Sequence, residues 1–147
     1  GTLYGPGTGK YFEELKKVKS AIANYKRVKD IIEMQVAMVN EYKGAWVLFR
    51  QDKNFTAEEL EYMLNIYTGM MDESIKNIDQ LFMVVNAFAT QMADAKRLEI
   101  INGVADNVQQ QLLDMKEFNS QNKMLSLQRA SEKGEIEYMK RLYWLSR

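Results

Sequence analysis

Gly5-Pro6-Gly7-Thr8-Gly9-Lys10 is the stretch whose residue types first suggest chemistry. Glycines ahead of a lysine are the raw material of a phosphate-cradling loop. The spacing denies that reading. In G-x-x-x-x-G-K-[ST], counted back from Gly9-Lys10, the first glycine falls on Tyr4 and the magnesium-holding hydroxyl falls on Tyr11. Only Gly1 to Tyr4 precede the run, too little for the strand that feeds such a loop. Residues 1–9 read instead as a flexible leader to a single domain over 10–147.

Other catalytic chemistry is thinned by composition. The chain has no histidine and no cysteine. That removes zinc fingers, imidazole acid–base pairs, thiol nucleophiles and disulfides. A carboxylate-bridged metal site in a helical bundle also draws on Glu-x-x-His, which cannot occur here. The expectation is a protein with no catalytic residues, no cofactor and no metal.

Charge narrows the partners. Twenty Lys plus Arg balance twenty Asp plus Glu, whereas nucleic-acid binders carry a basic excess on one face. The lysines and arginines at 10, 16, 17, 19, 26, 27 and 29 are diluted by Glu13, Glu14 and Asp30 and read as a solvated helix face. No direct nucleic-acid contact is expected. No stretch reaches the roughly 18 apolar residues of a membrane span; Leu81 to Ala89 is too short and carries Asn86.

The remaining signals are periodic. Tyr11, Leu15, Val18, Ile22, Tyr25, Ile32, Val36 and Val39 recur at steps of three and four with a gap near Lys29, and the helix carries through Gly44 to Trp46 and Phe49. Polar Gln51-Asp52-Lys53-Asn54 marks a turn. Thr56-Ala57-Glu58-Glu59 then forms a capping box, stapled by Phe55 and Leu60. A second stripe follows: Leu60, Leu64, Tyr67, Met71, Ile75, Ile78, Phe82, Val85 and Phe88, running to about Thr90. After a connection at Gln91–Ala93, Asp94 is the expected N-cap of a third helix carrying Leu98, Ile101, Ala105, Val108, Leu112 and Met115. That stripe keeps its phase through Asn102-Gly103. Asn119 to Lys123 is expected as a kink or break, with more helix beyond it and Gly134 as a weak point.

The expected fold is all-α: an elongated antiparallel bundle of three long helices, coiled-coil-like, with a further short C-terminal helix. Long stripes also favour a homo-oligomer, since three narrow seams leave apolar surface uncovered. The methionines, Met34, Met38, Met63, Met70, Met71, Met83 and Met92 among them, sit at helical spacing and read as core. Asn86, Asn102 and Asn107 are either polar register-setting positions or surface residues. Tyr42 and Trp46 near one helix end, and Tyr143 and Trp144 near the C-terminus, are the candidate partner-binding residues. Exposed at the tips they would anchor a partner; turned inward they would plug the bundle ends.

Asp52-Lys53-Asn54-Phe55-Thr56-Ala57-Glu58-Glu59-Leu60, with Tyr67-Thr68 and Glu73 after it, resembles a family of conjugal transfer proteins. These are the TraI-type proteins of conjugative transposons in Gram-negative gut anaerobes, unrelated to the relaxase of that name. Met92-Ala93-Asp94-Ala95-Lys96-Arg97, Ile101 and Val108 extend the resemblance, and Met139-Lys140-Arg141-Leu142-Tyr143 does so more loosely. It covers about residues 50 to 110. Ala93 departs from it, where a capping Ser is expected in relatives.

The resemblance implies an exported, minor-pilin-like part of a type IV secretion apparatus, in the periplasm or cell envelope, partnered by other subunits. It brings no catalytic residues. The resemblance also implies a cleaved signal peptide, consistent with a chain that opens on Gly1 without Met, as after removal of a tag. The residues alone leave two alternatives open: a cytoplasmic coiled-coil adaptor or chaperone-like protein, and a carrier with a Met-lined cavity for an apolar ligand.

Overall fold

A computed structural model describes the backbone of residues 6–86 and 92–144, and within these the side chains of residues 24–86, 92–135 and 137–143. The helices are α1 (Pro6–Phe49), α2 (Ala57–Asn86), α3 (Asp94–Lys133) and α4 (Ile136–Met139), followed by a π-helical turn over Lys140–Trp144. At 1.5 Å per residue α1 is about 66 Å long and α3 about 60 Å. The bundle is all-α with three long helices, as the periodicity predicts. α1 begins at Pro6, not Lys10; proline suits a first helical turn because its missing N–H is an orphan there in any case. The first five residues of the glycine-rich stretch's surroundings, 1–5, lie outside the described residues, as do 87–91 and with them the expected end of the second stripe.

α3 is the central packing partner. α1 and α2 both lie along it, and they touch each other least. Two apolar clusters fill the interior. One joins Met38, Phe49, Met63, Tyr67, Met115 and Tyr143 near the α1–α2 turn; the other joins Ile31, Leu81, Val84, Ile101, Val104 and Val108 toward the opposite end.

The turn forms as its residues dictate. The Glu59 amide donates to Thr56 Oγ1 at 3.1 Å, and the Thr56 amide donates to Glu59 Oε1 at 3.0 Å. This reciprocal cap satisfies two donors that the helix start leaves orphaned. Phe55 is buried and Leu60 packs against the same cluster, completing the staple.

The N-terminus of α3 corrects an expectation. Ala93, extended at φ −63° and ψ 141°, is the N-cap and supplies no side-chain bond. Asp94 is the first helical residue, and its carboxylate pairs with Arg97 at 3.0 Å. The guanidinium holds the group that would otherwise cap, while its charge still favours the positive helix end.

α3 also runs unbroken through Asn119–Lys123, where a break was expected. The polar run is not a turn because Asn119 is buried and bonded inside the bundle. α3 stops at Gly134, in the left-handed region at φ 73°, with Gly134 N–H donating to Ser131 O and Glu135 N–H to Ala130 O. That pair of bonds is a Schellman stop. Gly103 lies mid-helix with open space where a Cβ would sit. Gly103→Ala should therefore stabilise the fold by about 0.5–1 kcal/mol, and Gly134→Ala should destabilise it by about 1 kcal/mol. Urea titration of both variants checks the opposite signs.

The larger correction concerns helix phase. On α1 the inward seam is Asn24, Val28, Ile31, Gln35, Met38, Tyr42, Ala45 and Phe49, at alternating steps of four and three. On α2 it is Met63, Tyr67, Met70, Ser74, Asn77, Leu81 and Val84. Both are offset by one residue from most of the expected stripe. Tyr25, Ile32 and Val36 on α1, and Leu64, Ile75, Ile78, Phe82 and Val85 on α2, face solvent instead. The reason is pairing among the polar residues. Ser74 Oγ donates to Gln35 Oε1, and Asn77 Nδ2 donates to Gln111 Oε1 at 2.9 Å, so the seam carries polar groups with partners. α3 keeps the expected face, with Ile101, Ala105, Val108 and Met115 buried and Leu98 partly open.

Candidate protein-binding face

The sequence offers four aromatic candidates, and the fold turns three of them inward. Tyr42 is half-buried, its ring centroid 4.8 Å from that of Tyr67. Trp46 is half-buried and meets Tyr67 edge-on at 6.3 Å. Tyr143 is 7% exposed and its hydroxyl donates to Asp52 Oδ2 at 2.7 Å. These three plug the end of the bundle. The side chain of Trp144 lies outside the described residues. So do those of the lysines at 10, 16, 17 and 19, whereas Lys26 and Lys29 are solvated as expected.

Around that plug lies a buried polar cluster that periodicity could not reveal. Asp52 is 2% exposed and closes an Asx turn by accepting the Asn54 amide at 2.9 Å. Its other oxygen accepts from Ser126 and Tyr143. Burial first, then the bond to Asp52, pushes the Tyr143 hydroxyl pKa up, so Tyr143 stays a donor. Arg129 closes the rim: it donates to both Glu59 oxygens at 2.8 Å and to Asn54 O at 2.8 Å. This arrangement fastens α3 and the C-terminal helices to the α1–α2 turn. Its hydroxyls and carboxylate are bonded to one another within the core, which is a structural role.

Arg129 first, then the Thr56 amide, lowers the Glu59 carboxyl from the usual 4.5 to about 2. A depressed carboxyl stabilises the fold fully above its unfolded value and loses that contribution as pH falls through the folded one. Both side chains are 32% exposed, so solvent screening trims the pair to about 1 kcal/mol. Glu59→Gln should lower stability by about that amount at neutral pH. The difference from the parent chain should shrink below pH 4.5 and close near 2 in denaturant titrations across that range.

Of the three asparagines considered for register, Asn86 and Asn107 are exposed, while Asn102 is half-buried and accepts from Arg27 Nε at 3.1 Å. The residues that do bridge helices inside the bundle are Asn119, Asn77, Ser74 and Gln35. Asn119 accepts from the Tyr67 hydroxyl and donates to Glu41. Among the methionines, Met38, Met63, Met115 and Met139 are buried in the core as expected, and Met83 is 68% exposed.

The surface feature that remains is apolar. α1 meets α3 through the flank of Arg27, Met34 and Glu41, and α2 meets it through the flank of Glu59. By helical phase Tyr25, Ile32 and Val36, and Leu64, Ile75, Ile78, Phe82 and Val85, fall on the opposite flanks, on the α1–α2 side of the bundle, and all are exposed. Phe82 is 65% exposed and Tyr25 75%. Together they make the α1–α2 side of the bundle rich in exposed apolar side chains. Scattered surface apolar residues need no explanation, whereas apolar residues gathered on one side of a fold make that side a candidate for interaction. The sequence did carry these residues; their assignment to the core is what the fold reverses. Among the described residues no group of three or more His, Cys, Asp or Glu is placed to hold a metal ion, and no described helix is long and apolar enough to cross a membrane. No family model, curated protein or solved structure matches the chain.

Proposed function

We propose that this chain is a non-enzymatic, protein-binding subunit of a conjugative DNA-transfer apparatus of the type IV secretion class, acting in the periplasm or with the pilus. The observation that carries the protein-binding reading is the apolar face along α1 and α2, seen in Ile75, Ile78 and Phe82. The resemblance of Asp52–Leu60 and its flanks to TraI-type transfer proteins supports the assignment to a transfer apparatus. Asp52, Thr56 and Glu59 of that run are each bonded in the turn, so the stretch that carries the resemblance is also the one that fixes the α1–α2 corner. In this reading the bundle acts as a rigid part that presents a face, and transferred DNA is not its ligand.

The cavity-carrier alternative draws less support. The clefts lined by Arg27, Glu33 and Met34, and by Glu41, Leu48 and Lys123, are open to solvent, with charged and apolar side chains mixed along their walls, whereas pockets for apolar ligands enclose most of the ligand in a predominantly apolar lining. Met38, Met63 and Met115 are packed in the core.

The test is mating frequency after in-frame deletion of the gene in its native host. Transfer should collapse and return on complementation. Unchanged transfer would remove the assignment to the apparatus and leave a protein-binding bundle without a known system.

A further inference from the structure

We infer that the α1–α2 face is the interface of a homodimer, in which α1 of one copy lies on α2 of the other around a twofold axis parallel to the bundle. The inference rests on reading that face as a protein interface and is independent of any role in DNA transfer.

Three observations select a second copy as the occupant. The first is charge. Along the outer edge of the face α1 exposes Lys26, Lys29 and Lys43, with Glu33 as the acid among them, while α2 exposes Glu61, Asp72 and Asp79, with Lys76 as the base among them. One edge is net basic and the other net acidic. A twofold axis along the bundle puts each against its opposite, and complementary edges steer and align an interface.

The second is register. Gln35 stands level with Ser74, and Tyr42 with Tyr67, seven residues down one helix and seven back along the other. Lys29 therefore stands at the height of Asp79–Gln80, and Ile32 at the height of Asn77–Ile78. The proposed twofold preserves height, so Lys29 of one copy meets Asp79 of the second and Ile32 meets Ile78. Antiparallel helices with apolar residues repeating at three and four are a four-helix arrangement, here formed from the α1–α2 pairs of two chains.

The third is size. The α2 side of the face runs about 32 Å from Leu64 to Val85, and over that length two helices each about 10 Å wide present roughly 650 Å² per copy. Specific interfaces bury about 600–1,000 Å² per partner, so the face is sufficient for a dimer of modest affinity.

Sedimentation equilibrium of the full chain at roughly 100 µM, where a micromolar Kd leaves most of it paired, tests the proposal. The parent chain should sediment at twice the monomer mass. Ile78→Glu/Phe82→Glu should be monomeric with unchanged helical circular dichroism, since both side chains are exposed. Lys29→Glu should weaken the dimer about tenfold or more, and Lys29→Glu/Asp79→Lys in one chain should restore it. A parent chain that stays monomeric overturns the proposal, including one that instead co-sediments with anionic phospholipid vesicles. So does a dimer indifferent to Ile78→Glu/Phe82→Glu, or a charge swap that fails to rescue. Loss of mating with dimerisation intact, or the reverse, separates this inference from the transfer assignment.

Discussion

Tyr67→Ala should remove about 4–5 kcal/mol of folding stability, a large share of the roughly 5–15 kcal/mol that holds a domain together. Tyr67 is fully buried where the three long helices meet. Its ring packs edge-on against Phe118 at 5.2 Å and against Trp46, and tilted against Tyr42. Truncation takes away that aromatic contact area and leaves a cavity the surrounding helices cannot fully close. It also strips Asn119 of the donor at its carbonyl. Burial, the leading cause, and the nearby Glu41 charge push the Tyr67 hydroxyl pKa up, so it remains protonated and donating.

Tyr67→Phe separates the two parts. It keeps the ring and orphans only Asn119 Oδ1, at an expected cost of about 1–2 kcal/mol. Guanidinium titrations of both variants provide the check: the midpoint should fall in that order while the slope stays constant. Equal losses from the two substitutions would mean that the hydroxyl, and not the ring, dominates, which the packing does not predict.

Asp52→Ala should cost about 3–4 kcal/mol, although aspartate in a loop is usually dispensable. This aspartate is buried and accepts from three donors: the Asn54 amide, the Ser126 hydroxyl and the Tyr143 hydroxyl. Alanine takes the acceptor from all three; Ser126 keeps only its weak bond to Met139 Sδ at 3.3 Å, and each buried orphan costs about 1–3 kcal/mol before relaxation. Asp52→Asn should lose about half as much, because one carbonyl oxygen remains to accept. The defect should also be local first. Tyr143 is tied to the α1–α2 turn through Asp52, so amides of α4 and the π-helical turn should exchange faster with solvent deuterium than those of the Ile101–Val108 cluster. A uniform rise in exchange along α3 would contradict the fastening role assigned to Asp52.

Both sites show where legibility in the sequence stops. Tyr67 stood on the expected stripe, and the Thr56–Glu59 cap was readable to the residue, because a capping box is settled by four consecutive side chains and their own backbone. Helix existence and count were equally local. Steps of three and four gave α1, α2 and the core-facing side of α3. They also carried α3 through Asn102-Gly103.

Phase was not local. On α1 and α2 two adjacent stripes compete, one richer in Ile, Val and Phe, the other holding Gln35, Ser74 and Asn77. Hydrophobicity alone selects the richer stripe. The fold buries the other, where Ser74 meets Gln35 Oε1 and Asn77 meets Gln111 across the bundle; these bonds offset part of the burial penalty, although Asn24 Oδ1 and Gln35 Nε2 are buried without a partner. The same rule explains Asn119, which looked like a break and is a core contact, and Asp94, which looked like a cap and is held by Arg97.

Propensity, periodicity and caps act within a few residues, so they fix an all-α chain of long helices with a defined corner at residues 50–60 before any packing. Which stripe faces inward, the meeting of Asp52, Ser126 and Tyr143, and the exposure of Ile75, Ile78 and Phe82 are set by packing between distant segments. Those outcomes depend on pairings between residues 39 to 91 positions apart, and no local pattern encodes which distant partner will satisfy a polar group.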